Sequence, residues 1–551
     1  MPAVKGNQNK RLTGLVCLAI TAGVLIITLS PVARAVDKTP VKYRLRANRS
    51  DPSFIDVGLT FRLDQGERAV LSTEGSRATF QLVSRPKPEY QVESLASTFG
   101  GWVVTANVTG YISFEYRVGF SKEKPPVSAG EAPVGDALPL PRVCPDIKVL
   151  RGSDVFICPR EQEGSALISD TYRVEFDIEK GEKTLAPWNR KDGVFLVTGS
   201  TDLLQNYLAW GRMVTMNTRA AGIDFTVGLS GEYMRMSSAR REQYCKRLGV
   251  LLGETEDALG PRNDLTRLSV LICNAKEYGI GVPQAATAKQ SVVIFDDGRM
   301  LSGAASVAAA RGFLELWNRW QLVPSRRGEA AWFQEGMPTY DGYRVAVEAG
   351  LLSPQAAYRD LAGIYLDYVT NPRAASVSLA NGPAPSLQAA KGAVVCASMD
   401  QRLRDESGGG KDFDWLLGRM AEKFDHFKGR DYSLDDIEGL LEDATGKSWN
   451  RFFSRRIQGK GFLLTSDFSS TDLFGNDSGG ATGKELETKS SSRTWLFLLV
   501  AVAVIIMVPI VFSAYVRRSV NLDLSMPRIL PEDDDVESDG TDEGGENDGS
   551  G

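Results

Sequence analysis

The chain of 551 residues contains one histidine, His426, and that scarcity excludes more chemistry than any other feature of its composition. A helical zinc site built on two imidazoles one turn apart has no residues to form it, so ordinary zinc hydrolysis at such a site is not expected. No Cys-x-x-Cys pair occurs among the six cysteines, which leaves the paired-thiol motifs without a carrier. An excess of basic charge is missing as well: 64 Lys and Arg stand against 69 Asp and Glu, a formal net charge of −5. That balance does not describe a nucleic-acid binder. The charge is nonetheless uneven, because ten acidic residues and no Lys or Arg lie between Glu532 and Asp548, leaving +5 for the remainder.

What is present points to a membrane at both ends. Lys5, Lys10 and Arg11 precede an uncharged run over residues 12–29, followed by Ala33-Arg34-Ala35, small residues at the spacing a signal peptidase reads. Residues 1–35 thus read as a secretory signal, with an uncleaved anchor as the alternative. Residues 495–516 form a second apolar run, twenty-two residues without a charge, enough to span a bilayer. Trp495 and Tyr515 mark its ends and Arg517-Arg518 follow, which places residues 517–551 in the cytoplasm and the bulk of the chain outside it. The expected location is a cell membrane, single-pass, with the N-terminal bulk periplasmic or extracellular.

Cys17 falls within the signal. Cys144 and Cys158 bracket a short stretch after a Pro-rich segment and are the candidate disulfide of an oxidising compartment. Cys245, Cys273 and Cys396 read as small buried residues. From residue 41 to 120 polar and apolar residues alternate in short runs such as Lys42-Tyr-Arg-Leu-Arg46 and Tyr111-Ile-Ser-Phe-Glu-Tyr-Arg-Val118, the pattern of half-buried antiparallel strands. Residues 121–142 are a Pro/Gly/Ala-rich loop insertion, and residues 149–197 add further strands, so the β domain is expected to cover 36–225. The period then changes. Residues 234–252, 304–320, 354–369, 387–404 and 434–444 read as helices, with Ser353-Pro354 and Ser433 as N-terminal signals. Residues 268–273 and 291–295 read as strands, and Asp296-Asp297-Gly298 as a hairpin turn. Residues 465–494 are a flexible polar stalk, and the acidic tail is expected to be disordered.

Two segments carry the functional reading: Arg311-Gly-Phe-Leu-Glu-Leu-Trp-Asn318 and Trp332-Phe-Gln-Glu-Gly336. They resemble the glycyl-aminopeptidase family of metallopeptidases, peptidase family sixty-one, whose zinc helix reads His-Glu-aromatic-aromatic-His-x-Trp-Asn and whose third ligand lies in Trp-Phe-x-Glu-Gly. Ala349-Gly-Leu-Leu-Ser-Pro354, Lys391-Gly392-Ala393, Asp400-Gln-Arg-Leu-Arg404 and Asn450-Arg-Phe-Phe453 with Gly459 resemble later parts of that family. The resemblance implies an α+β chain, an N-terminal antiparallel β domain followed by a thermolysin-like, mainly helical peptidase domain over 226–464, with a C-terminal transmembrane helix added. The family's common PDZ domain is replaced by the stalk.

Set on that frame, Arg311 stands at the first ligand position, Gly312 at the general base, Glu315 at the second ligand and Glu335 at the third, with Trp317 and Asn318 retained. Zinc, the family's metal, is therefore not supported. Arg311 and Glu315, four apart on a helix, share a face. They are expected either to pair with Glu335 in the metal's stead or to form an ordinary surface pair. His426, after Asp425 and between two phenylalanines, reads as packing or a helix-end group. Three functions remain open: an inactive peptidase-fold protein binding peptides or protein partners, a hydrolase using Glu315 and Glu335, or a receptor-like scaffold whose acidic tail meets a cytoplasmic partner.

Overall fold

Alternating runs separated by tight turns become sheets, and the computed structural model describes them over residues 39–459, apart from 49, 52, 74–75, 77, 84–86, 96–99, 121–141, 144–145, 162–165, 371–377 and 382–384. The signal, stalk, apolar span and acidic tail read from the sequence lie outside the described residues. Among the described residues no helix is long and apolar enough to cross a membrane.

In Val41–Ala47, buried Val41, Tyr43 and Leu45 alternate with exposed Lys42, Arg44 and Arg46, so one face turns inward. This strand lies within a seven-stranded sheet ordered Asn189–Lys191, Val194–Thr198, Thr171–Asp177, Val41–Ala47, Phe54–Leu63, Gly110–Gly119 and Thr79–Leu82. A four-stranded sheet that includes Arg68–Ser72 and Gly101–Ala106 shares its core, where Tyr43, Val57, Trp102, Phe114 and Tyr116 meet. Pairing in these sheets is antiparallel as expected, with one exception: Val41–Ala47 runs parallel to Thr171–Asp177. Alternation reports which face is buried and is silent about the direction of a distant neighbour. A third sheet, containing Lys183–Leu185, Tyr207–Gly211 and Ile147–Arg151, carries the chain onward.

The second sheet system begins earlier than residue 225. Strands β1 (Met213–Ala220), β2 (Ile223–Ser230), β3 (Arg267–Asn274), β4 (Gln284–Thr287) and β5 (Ser291–Asp296) form one five-stranded sheet in the order β1-β2-β3-β5-β4. The β1-β2 hairpin therefore belongs with the second domain, and the seam lies near Gly211. Its half-exposed alternation looks in sequence like one more strand pair of the first domain. β2, β3 and β5 are parallel, and both outer strands antiparallel. All of β5 and all but the first residue of β3 are buried, as central strands covered on both faces require. The β4-β5 hairpin turns at 288–290, whereas Asp296-Asp297-Gly298 closes no hairpin: Asp296 ends β5, and its Oδ2 accepts a 2.6 Å hydrogen bond from Tyr244.

Eight helices of this domain are described: α1 (Ser238–Leu259), α2 (Ala304–Asn318), α3 (Arg327–Glu348), α4 (Pro354–Thr370), α5 (Pro385–Ser407), α6 (Phe413–Lys423), α7 (Leu434–Thr445) and α8 (Asn450–Arg456). Ser237 caps α1 by accepting from Arg240 N, and Ser433 with Asp436 forms a full capping box on α7. α2 is buried along nearly its whole circumference, with Arg311 and Ala304 outside the buried set. Such a helix runs through a core rather than over one. α3 and α5 cross at Gly336 and Gly392, so close that a Cβ on Gly336 would stand 2.3 Å from the Gly392 carbonyl carbon.

Candidate functional site

Helical spacing places Arg311, Glu315 and Arg319 in one line along α2, each four residues from the next, and α3 brings Glu335 against them. Arg311 Nε lies 3.2 Å from Glu315 Oε1 and its Nη2 lies 3.5 Å from Glu335 Oε2. Arg319 repeats the pattern, with Nε 3.3 Å from Glu315 Oε2 and Nη2 3.5 Å from Glu335 Oε1. The four side chains thus close a ring in which each guanidinium touches both carboxylates and the charges cancel. Glu315 is 4% exposed and Glu335 19%, so the ring is sheltered well beyond an ordinary surface pair. Arg311, Glu315 and Glu335 come together as the sequence implies. Arg319 was missed because it falls one residue beyond the Trp317-Asn318 motif, although its i+4 relation to Glu315 was legible.

These residues do not fit a zinc ion. A guanidinium has no lone pair to donate, and all four carboxylate oxygens already face an arginine nitrogen at 3.2–3.5 Å. A divalent cation would have to displace two positive groups and then sit beside them.

Gly312, at the position of a general base, is turned toward the sheet. A Cβ there would lie 2.8 Å from Ala285 Cβ and 3.0 Å from Val292 Cγ1. Thr287 Oγ1 donates to the Gly312 carbonyl at 2.9 Å. The edge strand β4 therefore rests directly on α2 where a catalytic carboxylate would need room, which accounts for a mid-helix glycine despite its cost of about 1 kcal/mol relative to alanine.

Trp317 and Asn318 of the first segment join α2 to its neighbours. Trp317 is fully buried, and its Nε1 donates to the Gly260 carbonyl at the end of α1, 2.9 Å away. Asn318 answers a defect in α3. Pro338 lies inside that helix and has no N–H for the Gln334 carbonyl four residues back; Asn318 Nδ2 donates to that oxygen instead, at 2.6 Å. Asn318→Leu should destabilise the chain by about 1–3 kcal/mol, the range for a buried polar group left without a partner. Adding Pro338→Ala should recover most of the loss by returning an N–H to the helix. Denaturant unfolding of the three chains checks this, and a double variant no better than Asn318→Leu would refute it.

Further along α3, burial gathers a second set of charges. Arg344 Nη2 meets Asp414 Oδ2 at 2.5 Å, and Asp341, fully buried beside Arg344, is held well above the usual carboxylate range by desolvation, against the opposing pull of Arg344. Tyr340 donates to Asp400 at 2.5 Å. This cluster ties α3 to α5 and α6.

Of the remaining candidates, Cys144 lies outside the described residues, so its pairing with Cys158 stays an expectation. Cys158 is buried, and desolvation pushes its thiol up to about 11, against the opposing influence of nearby Tyr172, Arg160 and Tyr43. Cys245, Cys273 and Cys396 are buried. Of its two readings His426 takes the helix-end one: its side chain is 49% exposed at the start of a short 3-10 turn, with Nδ1 2.7 Å from Asp431 Oδ1. Phe427 keeps an edge contact with it, ring centroids 6.3 Å apart.

No family model matches the chain, and no curated protein matches it. Among solved structures it is similar to an aminopeptidase N family protein from Idiomarina loihiensis, with a TM-score of 0.60 and 13% identity over 78% of each chain. An M1 zinc metallopeptidase from Deinococcus radiodurans gives a TM-score of 0.48 at 13% identity, over 77% of this chain and 94% of that one. The first likeness shows a metallopeptidase-like fold, the two-domain α+β arrangement described above, and nothing of activity.

Proposed function

We propose that the chain is a metallopeptidase-fold protein of the glycyl-aminopeptidase type that has given up zinc catalysis and serves to bind peptides or a protein partner. In this reading it is held at the outer face of a membrane by residues 495–516, with the acidic tail available to a cytoplasmic partner. The observation that carries it is the ring: at the three aligned ligand positions stand Arg311, Glu315 and Glu335, closed by Arg319. A hydrolase running on Glu315 and Glu335 alone is disfavoured by the same contacts. Two carboxylates share acid and base roles when their environments push their proton affinities apart, and here both meet the same two guanidiniums.

The test uses the full-length chain. Purified wild-type protein should hold no stoichiometric zinc after equilibration with the metal and should release no amine from glycyl or other aminoacyl anilides. One tightly bound zinc per chain would overturn the reading. The combined variant Arg311→His, Glu315→His and Arg319→Ala should gain one zinc per chain, because two imidazoles one turn apart with Glu335 make a His2Glu donor set. It should remain inactive, since Gly312 supplies no base. A variant that folds and takes up no zinc would show that the ring does not stand where a metal would.

A further inference from the structure

One face of the second domain's sheet is covered over only part of its length. Met213 on β1, Leu271 and Cys273 on β3 and Val293 on β5 form an apolar cluster with Val149 and Leu185 of the third N-terminal sheet. That cover ends at Leu185, which closes on Gly228 of β2: a Cβ there would meet Leu185 Cδ2 at 2.9 Å. Side chains two and four residues from Gly228 share its face, and along them the face turns polar. Asn217 stands opposite Thr226, and the next row sets Arg219, Asp224 and Arg267 side by side across β1, β2 and β3.

Residues 184–188 and Arg190 of the N-terminal domain stand against this polar floor, and together they bound an open cleft of about 690 Å³. Its size is within the range of ligand-binding clefts. Two neutral groups in it have hydrogen-bonding capacity to spare. Thr226 donates to Asn217 Oδ1 at 2.9 Å, which leaves the Asn217 N–H groups without a protein acceptor among the described residues. Thr184 is 9% exposed, and its hydroxyl has no partner among the described residues. The ring lies across the sheet, since α2 packs on the face that carries Val227, Val270 and Val292.

The charge of the cleft is one-sided. Arg190, Arg219 and Arg267 line it with Asp224 as the one acid, three positive charges against one negative, in a chain whose net charge is −5. Asp224 lies 3.7 Å from Arg219, so its charge is already met from β1. Arg190 rests over the Phe195 ring at 5.4 Å, and neither Arg190 nor Arg267 meets a carboxylate among the described residues. The surplus of two matches a phosphate monoester, which carries about −1.5 to −2 at neutral pH and suits the planar fork of a guanidinium. A bare phosphate would leave most of the volume unfilled, and the unused groups of Asn217 and Thr184 suit hydroxyls. We propose that this cleft binds a small phosphate monoester with a hydroxylated body, a sugar phosphate by class, its phosphate taken by Arg190 and Arg267. The proposal is independent of the reading of the ring.

The test is calorimetric titration of the full-length chain with glucose 6-phosphate, inorganic phosphate and glucose. Glucose 6-phosphate should bind at least about tenfold more tightly than either of the others. Arg190→Gln with Arg267→Gln should weaken it by about tenfold or more and leave the thermal midpoint of the unliganded chain unchanged, because both residues are exposed. Asp224→Asn removes the one acid and releases Arg219, and should tighten binding by about threefold or more, a gain that misfolding cannot imitate. Equal binding of glucose, no loss in the double variant, or no gain in Asp224→Asn would overturn the charge argument. Inorganic phosphate binding as tightly as the ester would overturn the hydroxylated body. Phosphatidylcholine vesicles containing phosphatidic acid should not displace glucose 6-phosphate; displacement at equal phosphate concentration would make the ligand a lipid headgroup and overturn the sugar. Absence of glucose 6-phosphate binding at millimolar concentration would overturn the whole proposal.

Discussion

Gly336→Ala should lower the thermal midpoint of the chain by about ten degrees, the consequence of roughly 3 kcal/mol of overpacking in a domain of this size. The added methyl would come within 2.3 Å of the Gly392 carbonyl carbon and 2.5 Å of its Cα, and these are backbone atoms that no rotamer change can move. Gly392→Ala should do the same from the other side, because its Cβ would stand 2.3 Å from the Trp332 carbonyl oxygen. Helices α3 and α5 would have to separate, and the buried rings of Trp332 and Phe333 would lose their seat. Gly363→Ala, on α4 with no atom within 4 Å of the new methyl, is the control and should be neutral or slightly stabilising through helix propensity. Thermal melts of the three variants decide it, and a Gly336→Ala chain that melts with wild type would show that α3 and α5 are not packed this closely.

This contact explains a pattern in the sequence. In the Trp332 to Gly336 segment the tryptophan, the phenylalanine and the glycine are all packing residues, and Lys391-Gly392 supplies the opposing face. Trp317 and Asn318 likewise hold α1 and α3 to α2. These residues of the two segments build the helix crossing.

How far the sequence carried depended on the range of the interaction. The helix starts at Pro354 and Leu434 were legible because a cap is a local event, and the strands from Val41 to Gly119 because burial alternates along a strand. Three members of the ring were legible by alignment to a motif. Arg319 was not, because it occupies no motif position. Gly312 read as a lost base, and only the nearness of Ala285 and Val292 shows that it is also a steric requirement. The Asn318 to Gln334 bond joins two helices and arises from a proline four residues further on. No periodicity records that arrangement.

Glu315→Ala is the second large effect expected, a loss of about 3 kcal/mol, at the lower end of what removing one member of a buried ion pair entails. Glu315 is the most sheltered member of the ring, and both arginines, each 21% exposed, reach it at 3.2 and 3.3 Å. Without it two guanidiniums face the one carboxylate of Glu335 at 3.5 Å each, two positive charges against one within the ring. Replacing the pair together, Arg311→Leu with Glu315→Leu, leaves Arg319 with Glu335 and no excess charge. The double variant should therefore be more stable than Glu315→Ala alone, the reverse of what independent contacts give. Denaturant unfolding of wild type, Arg311→Leu, Glu315→Leu and the pair yields the coupling energy. Simple additivity would mean that the four groups do not act as one unit. Strong coupling would mean that the ring joins α2 to α3 as a single unit.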